Sequence, residues 1–180
     1  MRRSVLNLLL IMAVLFASTL AVGAEVKSAK FYFNRGFEYA KKGKLDQAIA
    51  DYTKALELNP KFDWAYYNRG NAYGKKGRHD RAIADYNKAL EINPRFFLAY
   101  FNRGNAYEKK GRHARAIADY TKVIELNPRY AAAYNNRAIA YYHQKDYDKA
   151  WKDVRKAQSL GFKVHPGFLT DLRKASGREK

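Results

Sequence analysis

The sequence contains two adjacent 34-residue segments that are nearly the same. Residues 63–96 read DWAYYNRGNAYGKKGRHDRAIADYNKALEINPRF, and residues 97–130 read FLAYFNRGNAYEKKGRHARAIADYTKVIELNPRY. The two are identical at 24 of 34 positions without a gap. An earlier copy occupies residues 29–62, and a more divergent copy occupies residues 131–164. A repeat of this period predicts an array of small units that pack on one another.

Each copy divides into two halves with the periodicity of an α-helix. In the second copy, small and apolar residues recur at helical spacing across residues 65–73 and again across residues 82–90. Gly77 separates the halves, and Asn93-Pro94 ends the second, because the residue before a proline is disfavoured in the α conformation. We therefore predict a helical hairpin in each copy. Such a hairpin buries its apolar faces only by stacking on its neighbours.

The register of the four copies resembles that of the tetratricopeptide repeat (TPR). The small residue of the family's first helix corresponds to Gly36, Gly70, Gly104 and Ala138. The small residue of the second helix corresponds to Ala48, Ala82, Ala116 and Ala150. The second-helix aromatic residue corresponds to Tyr52, Tyr86 and Tyr120, with Val154 in the fourth copy. The closing proline is Pro60, Pro94 and Pro128, with Phe162 in the fourth copy.

This resemblance, which spans about residues 29–164, implies an all-α fold. It implies a right-handed α-solenoid of four TPR helix hairpins, at residues 29–62, 63–96, 97–130 and 131–164. After them, Pro166 suits a first helical position, and Gly177 suits the end of a helix. We predict a C-terminal capping helix over residues 166–175, because repeat arrays need a solvated end. The whole repeat domain is predicted to cover residues 25–180.

Residues 1–24 have the pattern of a secretory signal peptide. Met1-Arg2-Arg3 is basic, residues 4–24 carry no charge, and Val22-Gly23-Ala24 offers small residues for cleavage after Ala24. The alternative is a retained membrane anchor, since an uncharged run of about 20 residues is long enough to span a bilayer. Both interpretations place the repeats outside the cytoplasm, in the periplasm or secreted.

The chain is strongly basic, with 35 lysines and arginines against 17 acidic residues and a formal net charge of +18. In a cytoplasmic protein this balance would indicate nucleic acid. An exported chain instead meets acidic proteins, anionic lipids and envelope polymers, so nucleic acid is not an expected partner. The chain has no cysteine, which excludes a disulfide framework, an iron–sulfur cluster and a thiol nucleophile.

No motif in the sequence indicates catalysis or metal binding. His79 and His113 occupy the same place in neighbouring copies, where packing of the hairpin turn explains them, and His143 and His165 are isolated. There is no H-E-x-x-H pair, no glycine-rich phosphate loop and no G-x-S-x-G motif. We predict a protein that is not an enzyme, with no catalytic residue, metal or cofactor.

An arginine of the first helix and an aspartate of the second recur in all four copies. The arginines are Arg35, Arg69, Arg103 and Arg137, and the aspartates are Asp51, Asp85, Asp119 and Asp153. In an antiparallel hairpin these places lie at about the same height. We therefore predict a partly buried ion pair within each repeat that fixes the register of its two helices.

The resemblance also implies a concave groove whose wall is built from the first helices. We predict that this groove binds a peptide or protein segment through Phe33, Phe37, Trp64, Tyr67, Asn68, Asn71, Phe101, Asn102, Asn105 and Asn136. Asparagine both donates to and accepts from a peptide backbone, and aromatic anchors dominate binding at interfaces. The alternative is that several aromatic residues pack between repeats while the asparagines satisfy neighbouring backbone.

Some family members grip a partner's C-terminal carboxylates with lysines, asparagines and an arginine. In one frame of three repeats the basic places hold Phe33, Leu98 and Asn102, and in the other frame they hold Tyr67, Ala132 and Asn136. Asparagine places of the clamp are kept, at Asn68 in the first frame and at Asn71 and Asn102 in the second. Because every basic place is lost, that chaperone-tail specificity is not expected.

The hairpin turns of three successive copies are basic. They carry Lys41, Lys42 and Lys44, then Lys75, Lys76 and Arg78, then Lys109, Lys110 and Arg112, which we call the basic rim. Such a stripe attracts acidic partners in a salt-dependent way; the alternative is that these residues only solvate the turns and the helix ends.

The function expected by family analogy is a non-catalytic adaptor that binds another protein outside the cytoplasm, and the basic charge of the chain favours an acidic partner. Two alternatives remain open. One is binding to an anionic membrane surface or envelope polymer through the basic rim. The other is self-assembly into a homo-oligomer through contacts between solenoids.

Overall fold

The computed structural model describes residues 28–178, and within that range every regular element is an α-helix. The nine helices are α1 (Ala29–Lys41), α2 (Leu45–Leu58), α3 (Asp63–Lys75), α4 (His79–Ile92), α5 (Phe97–Lys109), α6 (His113–Leu126), α7 (Ala131–His143), α8 (Tyr147–Ser159) and α9 (Pro166–Ser176). The predicted signal segment, residues 1–24, lies outside the described residues. Within residues 28–178, none of the helices is both long and apolar enough to cross a membrane.

The first eight helices form four consecutive hairpins, and each hairpin packs on the next. The two helices of a hairpin pack most extensively with each other, and the second helix of each hairpin then packs against the first helix of the next. Each first helix also contacts the first helix of the next hairpin, so these helices form a continuous inner layer, made of α1, α3, α5 and α7. The predicted all-α TPR solenoid is confirmed.

A glycine in the first helix of each of the first three repeats lets a tyrosine ring lie directly on the helix backbone. Cβ atoms added at Gly36, Gly70 and Gly104 would stand 3.0, 2.8 and 2.7 Å from the nearest ring carbon of Tyr52, Tyr86 and Tyr120. All three tyrosines are buried. The fourth repeat pairs Ala138 with Val154 instead, both fully buried. A glycine on the first helix is therefore paired with a tyrosine on the second, and the larger alanine is paired with the smaller valine.

The predicted ion pair is confirmed in all four repeats, and each arginine of the last three also reaches the preceding repeat. Arg69 Nε and Nη2 donate to the two carboxylate oxygens of Asp85, both at 2.8 Å, while Nη1 donates to Thr53 Oγ1 of the repeat before at 3.0 Å. The same three bonds join Arg103 to Asp119 and Asn87, and Arg137 to Asp153 and Thr121. One guanidinium therefore connects three helices.

The carboxylates of these pairs are buried, with exposed fractions of 3–6% for the four aspartates. At Asp119 the burial raises the pKa of the carboxyl group above its usual value, although the bond from Arg103 acts in the opposite direction. Removing a carboxylate from water is thus a large cost that the arginine offsets. The bonds of each arginine constrain how the helices meet, while the desolvation cost offsets much of the stability that the pair adds.

The turn inside each hairpin ends the first helix with a left-handed residue. Gly43, Gly77 and Gly111 have φ values of 71°, 71° and 67°, and in each case the next amide donates back to a carbonyl of the first helix at 2.9 Å. The fourth turn has the same hydrogen bond, from Asp146 to Tyr141 at 2.9 Å, but Lys145 takes the left-handed place with φ 61°. A Cβ makes this conformation unfavourable, so the fourth turn is strained.

Replacing Lys145 with glycine should therefore stabilise the protein. We expect a gain of about 1 kcal/mol in the free energy of unfolding, which corresponds to a rise of about 2–4 °C in Tm for a domain of this size. The matched control is Gly111→Lys, which places lysine in the equivalent turn of the third repeat and should lower Tm. Equal Tm values for Lys145→Gly and the parent in thermal unfolding would contradict this account.

Helix α9 covers the end of the fourth repeat. Its Leu172 is fully buried in a cluster with Val154, Ala157 and Val164, and Trp151 Nε1 donates to Ser176 Oγ at 3.0 Å. His165 begins the helix by accepting a bond from the Gly167 amide on its Nδ1. The capping helix was predicted over residues 166–175, and α9 runs from Pro166 to Ser176 with the left-handed Gly177 after it.

Candidate binding groove

The inner layer of first helices encloses an open groove of about 520 Å³ that crosses the first three repeats. Its wall includes Phe37 and Lys41 from α1, Asn68, Asn71 and Lys75 from α3, and Asn102, Asn105 and Lys109 from α5. A second hollow of about 540 Å³ shares Asn105 and Lys109 and continues to Asn136, Ile139 and His143 in the fourth repeat. The two hollows follow one face of the array.

The asparagines of the wall form hydrogen-bonded bridges between repeats. Asn71 Oδ1 accepts from the Tyr86 hydroxyl and from Asn102 Nδ2, both at 2.8 Å. In the next repeat Asn105 Oδ1 accepts from the Tyr120 hydroxyl at 2.8 Å and from Asn136 Nδ2 at 2.9 Å. We call these bonds the amide ladder. They satisfy the buried tyrosine hydroxyls and fix the positions of the amides that face the groove.

The amide ladder is broken in the first repeat. Phe37 stands where Asn71 and Asn105 stand in the next two repeats, and Asn68 donates to the Trp64 carbonyl of its own helix at 2.8 Å. The Tyr52 hydroxyl is buried and has no hydrogen-bond partner among residues 28–178. Burial raises the pKa of Tyr52 to about 12. A buried polar group without a partner typically destabilises a protein by about 1–3 kcal/mol.

Four of the predicted groove aromatics lie against aromatic neighbours at the junctions between repeats. Phe33 contacts Phe62 with ring centroids 4.7 Å apart, Trp64 and Tyr67 contact Phe96 at 4.7 and 4.8 Å, and Phe101 contacts Tyr130 at 5.1 Å. Trp64 keeps 45% of its surface exposed, while the other three are half-buried. Among the predicted aromatics, only Phe37 lines the 520 Å³ groove.

The basic rim divides into three groups. Lys41, Lys75 and Lys109 occupy the same place on successive first helices and line the groove. Lys76 and Lys110 bind the carboxylates of Asp46 and Asp80 in the preceding repeat. Lys42, Lys44, Arg78 and Arg112 are exposed on the turns. The lining of the 520 Å³ groove contains no carboxylate, but Lys41 Nζ donates to Glu38 Oε1 at 3.3 Å, and Glu108 lies beside Lys109 in the second hollow. Since the Lys41–Glu38 pair is exposed, it offsets little of the positive charge of the groove.

The isolation predicted for His143 is wrong. Its ring stacks on His113 with centroids 4.8 Å apart, and both face Glu108: His113 Nδ1 lies 2.9 Å and His143 Nε2 lies 3.7 Å from Glu108 Oε1. Alignment of the repeats could have indicated that His143 lies on the inner layer of first helices, because it occupies the place of Lys109 in the preceding repeat. No group of three metal-ligating side chains within residues 28–178 is arranged to hold a metal ion.

Comparisons with known proteins agree with this architecture. Family models described as TPR repeat match residues 36–77 and 70–111, and models described as tetratricopeptide repeat match residues 97–130 and 119–152. The chain is a helical-repeat protein of the interaction-scaffold class. It belongs to the tetratricopeptide repeat family. No curated protein sequence gave a match.

Several solved structures are similar to the chain. A crystal structure of MamA is 26% identical, covering 79% of this chain and 84% of that one with a TM-score of 0.75. The first TPR domain of Spaghetti (RPAP3), bound to the HSP90 peptide SRMEEVD, is 32% identical, covering 67% of this chain and 97% of that one with a TM-score of 0.63. MamA from Desulfovibrio magneticus RS-1 is 23% identical, covering 73% and 75% with a TM-score of 0.70, and shows the fold alone.

Proposed function

We propose that the protein is a non-catalytic adaptor that binds an extended segment of another protein in the groove of its first helices. The observation that carries this proposal is the groove itself, which crosses three consecutive repeats and presents fixed amides beside a row of lysines. Amides pair with a bound backbone, and the lysines favour an acidic chain. The RPAP3 domain, which is bound to an HSP90 peptide, gives a precedent within the family.

The proposal does not extend to the chaperone-tail specificity of that relative. The places of the basic clamp hold Phe33, Leu98 and Asn102 in one frame. Phe33 is packed against Phe62, and Asn102 donates to Asn71 and to the Tyr67 hydroxyl. None of these side chains supplies a positive charge for a terminal carboxylate.

We also propose that the adaptor works outside the cytoplasm. Support comes from the sequence of residues 1–24, with its basic start, uncharged core and small residues before Glu25. Mass spectrometry of the protein from its native cells should give a chain that begins at Glu25. A chain recovered in the membrane with residues 1–24 intact would instead indicate an anchor, and a full-length chain in the cytoplasm would contradict export.

Two lysine pairs distinguish the groove from the rest of the basic rim. Lys75→Glu with Lys109→Glu reverses two groove lysines, whereas Lys42→Glu with Lys44→Glu makes the same charge change on an exposed turn. In affinity capture from an envelope extract, we expect the groove variant to lose the partner that the parent recovers, and the turn variant to retain it.

Other outcomes of this capture would contradict the proposal. Loss in both variants, together with release by salt, would favour binding of anionic membrane or polymer through the basic rim. Retention of the partner by both variants would show that neither lysine pair lies on the binding surface. In a separate measurement of molecular mass in solution, a mass that rises with protein concentration would indicate self-assembly. Circular dichroism of each variant verifies that the charge changes leave the helices folded.

A further inference from the structure

We propose that Phe37 is a specificity-determining residue of the groove, and that it contacts a large apolar side chain of an acidic internal segment of the partner. The inference rests on the proposed function and names the chemistry of the bound segment. It comes from one place in the pattern of the repeats, which is occupied by Phe37, Asn71, Asn105 and Ile139.

Phenylalanine at this place leaves a buried tyrosine hydroxyl unpaired, and among the described residues this happens in the first repeat alone. In the second and third repeats the asparagine at this place accepts a bond from a buried tyrosine hydroxyl. In the fourth repeat Ile139 replaces the asparagine, but Val154 also replaces the tyrosine, so no hydroxyl is left unpaired. The first repeat keeps Tyr52 and loses the asparagine, and the Tyr52 hydroxyl is buried without a partner in the described part of the chain.

Packing does not explain why phenylalanine stands at this place. Phe37 leaves 45% of its surface exposed, and that surface faces the groove. An exposed aromatic residue contributes little to a core, and an asparagine there would satisfy the hydroxyl as it does in the next repeats. Local rules of packing and hydrogen bonding are typically broken at functional sites. The ring is therefore kept for what it contacts from the groove side.

The charges around Phe37 specify the rest of the bound segment. Lys41 Nζ lies 5.7 Å from the centroid of the Phe37 ring, and Lys75 and Lys109 follow at the same place on the next two first helices. No carboxylate lines this part of the groove; Lys41 also donates to Glu38 at 3.3 Å, but that pair is exposed and leaves the lysine available to a bound acidic side chain. A segment with acidic side chains toward the lysines and one apolar side chain on Phe37 complements this wall. Since the clamp for a terminal carboxylate is missing, the segment need not be a chain terminus.

The variant Phe37→Asn separates a structural role from a binding role, because the two predict changes of opposite sign. Asparagine at residue 37 repeats the arrangement of Asn71, so it should accept a bond from the Tyr52 hydroxyl and raise Tm by about 2–4 °C. The same change removes the apolar contact and should weaken binding. Leu58→Asn is the matched control, since Leu58 is 47% exposed and lies outside the groove.

The probes are random twelve-residue peptides displayed on phage and selected on the full chain. We expect the selected peptides to combine aspartate or glutamate with a large apolar residue. Synthetic copies, measured by fluorescence anisotropy, should bind Phe37→Asn about tenfold more weakly than the parent, as is common for loss of an interface anchor. Replacing the apolar residue of the peptide by serine should weaken binding to the parent and leave binding to Phe37→Asn unchanged. Amidation of the peptide C-terminus should have no effect.

Each remaining outcome overturns a defined part of the inference. Peptides that bind Phe37→Asn as tightly as the parent, or that lack acidic residues, would refute the proposed segment while leaving groove binding intact. A fall in Tm for Phe37→Asn would show that the ring is structural. Peptides that bind but are unaffected by the Lys75→Glu and Lys109→Glu changes, or failure to select any peptide, would refute the proposed groove function as well.

Discussion

Replacing Asp85 with asparagine should lower the free energy of unfolding by roughly 3 kcal/mol, the lower end of the range for breaking a buried ion pair. Asp85 is 5% exposed and accepts two bonds from Arg69. The amide keeps the size of the side chain but leaves the guanidinium without its countercharge. Arg69 retains 18% exposure, so water partly compensates. Thermal and urea unfolding followed by circular dichroism measure the loss.

The first repeat supplies the control for this prediction. Arg35 makes the same paired bonds to Asp51, at 2.7 and 2.6 Å, but its side chain is 42% exposed. Asp51→Asn should therefore destabilise the protein clearly less than Asp85→Asn, because water can solvate the more exposed Arg35 once its countercharge is lost. Equal losses at the two sites would show that burial does not set the cost, and an unchanged Tm for Asp85→Asn would refute the role of the pair.

Gly104→Ala should destabilise the protein by roughly 1–3 kcal/mol, although alanine is the better helix former. The added Cβ would lie 2.7 Å from Tyr120 Cε1, closer than real Cβ contacts, and Tyr120 is 1% exposed with its hydroxyl bound to Asn105. The ring cannot move away without breaking that bond or shifting α6. Thermal unfolding should show this loss of stability as a fall in Tm of several degrees.

Gly74→Ala is the matched control for overpacking. Gly74 is also inside a first helix, but its added Cβ would meet only ordinary contacts at 3.8 and 3.9 Å. The substitution should raise stability by up to about 1 kcal/mol through helix propensity. In the double variant Gly104→Ala with Tyr120→Val, which copies the Ala138 and Val154 pair, the two losses should be less than additive. A destabilising Gly74→Ala of the same size as Gly104→Ala would contradict the role of the ring.

The repeat made most of the fold predictable from the sequence. Four copies at one spacing predicted two helices in each copy, and the recurrence of Arg69 and Asp85 in every copy predicted a contact across the hairpin that the structure contains. A pair of residues that recurs in every copy predicts a contact, because equivalent residues of a repeat have equivalent surroundings. The capping helix was predictable for another reason, since Pro166 and Gly177 bound it locally.

The orientation of the aromatic residues was less predictable. Phe33, Tyr67 and Phe101 were assigned to the groove, yet each also reaches an aromatic residue just before the following repeat, namely Phe62, Phe96 and Tyr130. Helical periodicity gives the direction of a side chain but not how far a ring from the residue just before the next helix extends toward it. The significance of Phe37 was likewise hidden, because an unpaired hydroxyl is visible only once Tyr52 is placed.

Arg103 and Arg137 each bond to the preceding repeat in the same way, so a repeat can be removed or added without changing the kind of contact at the junction. Arg103 donates to Asn87 and Arg137 to Thr121, and these acceptors stand 34 residues apart at the same place in successive copies. Loss of residues 97–130 from the gene would bring Arg137 against Asn87 and Asn136 against Asn71, which are contacts of the kind already made. Recombination between the near-identical copies would thus yield a protein with fewer or more repeats, in which the newly adjoining repeats make the contacts that neighbouring repeats already make.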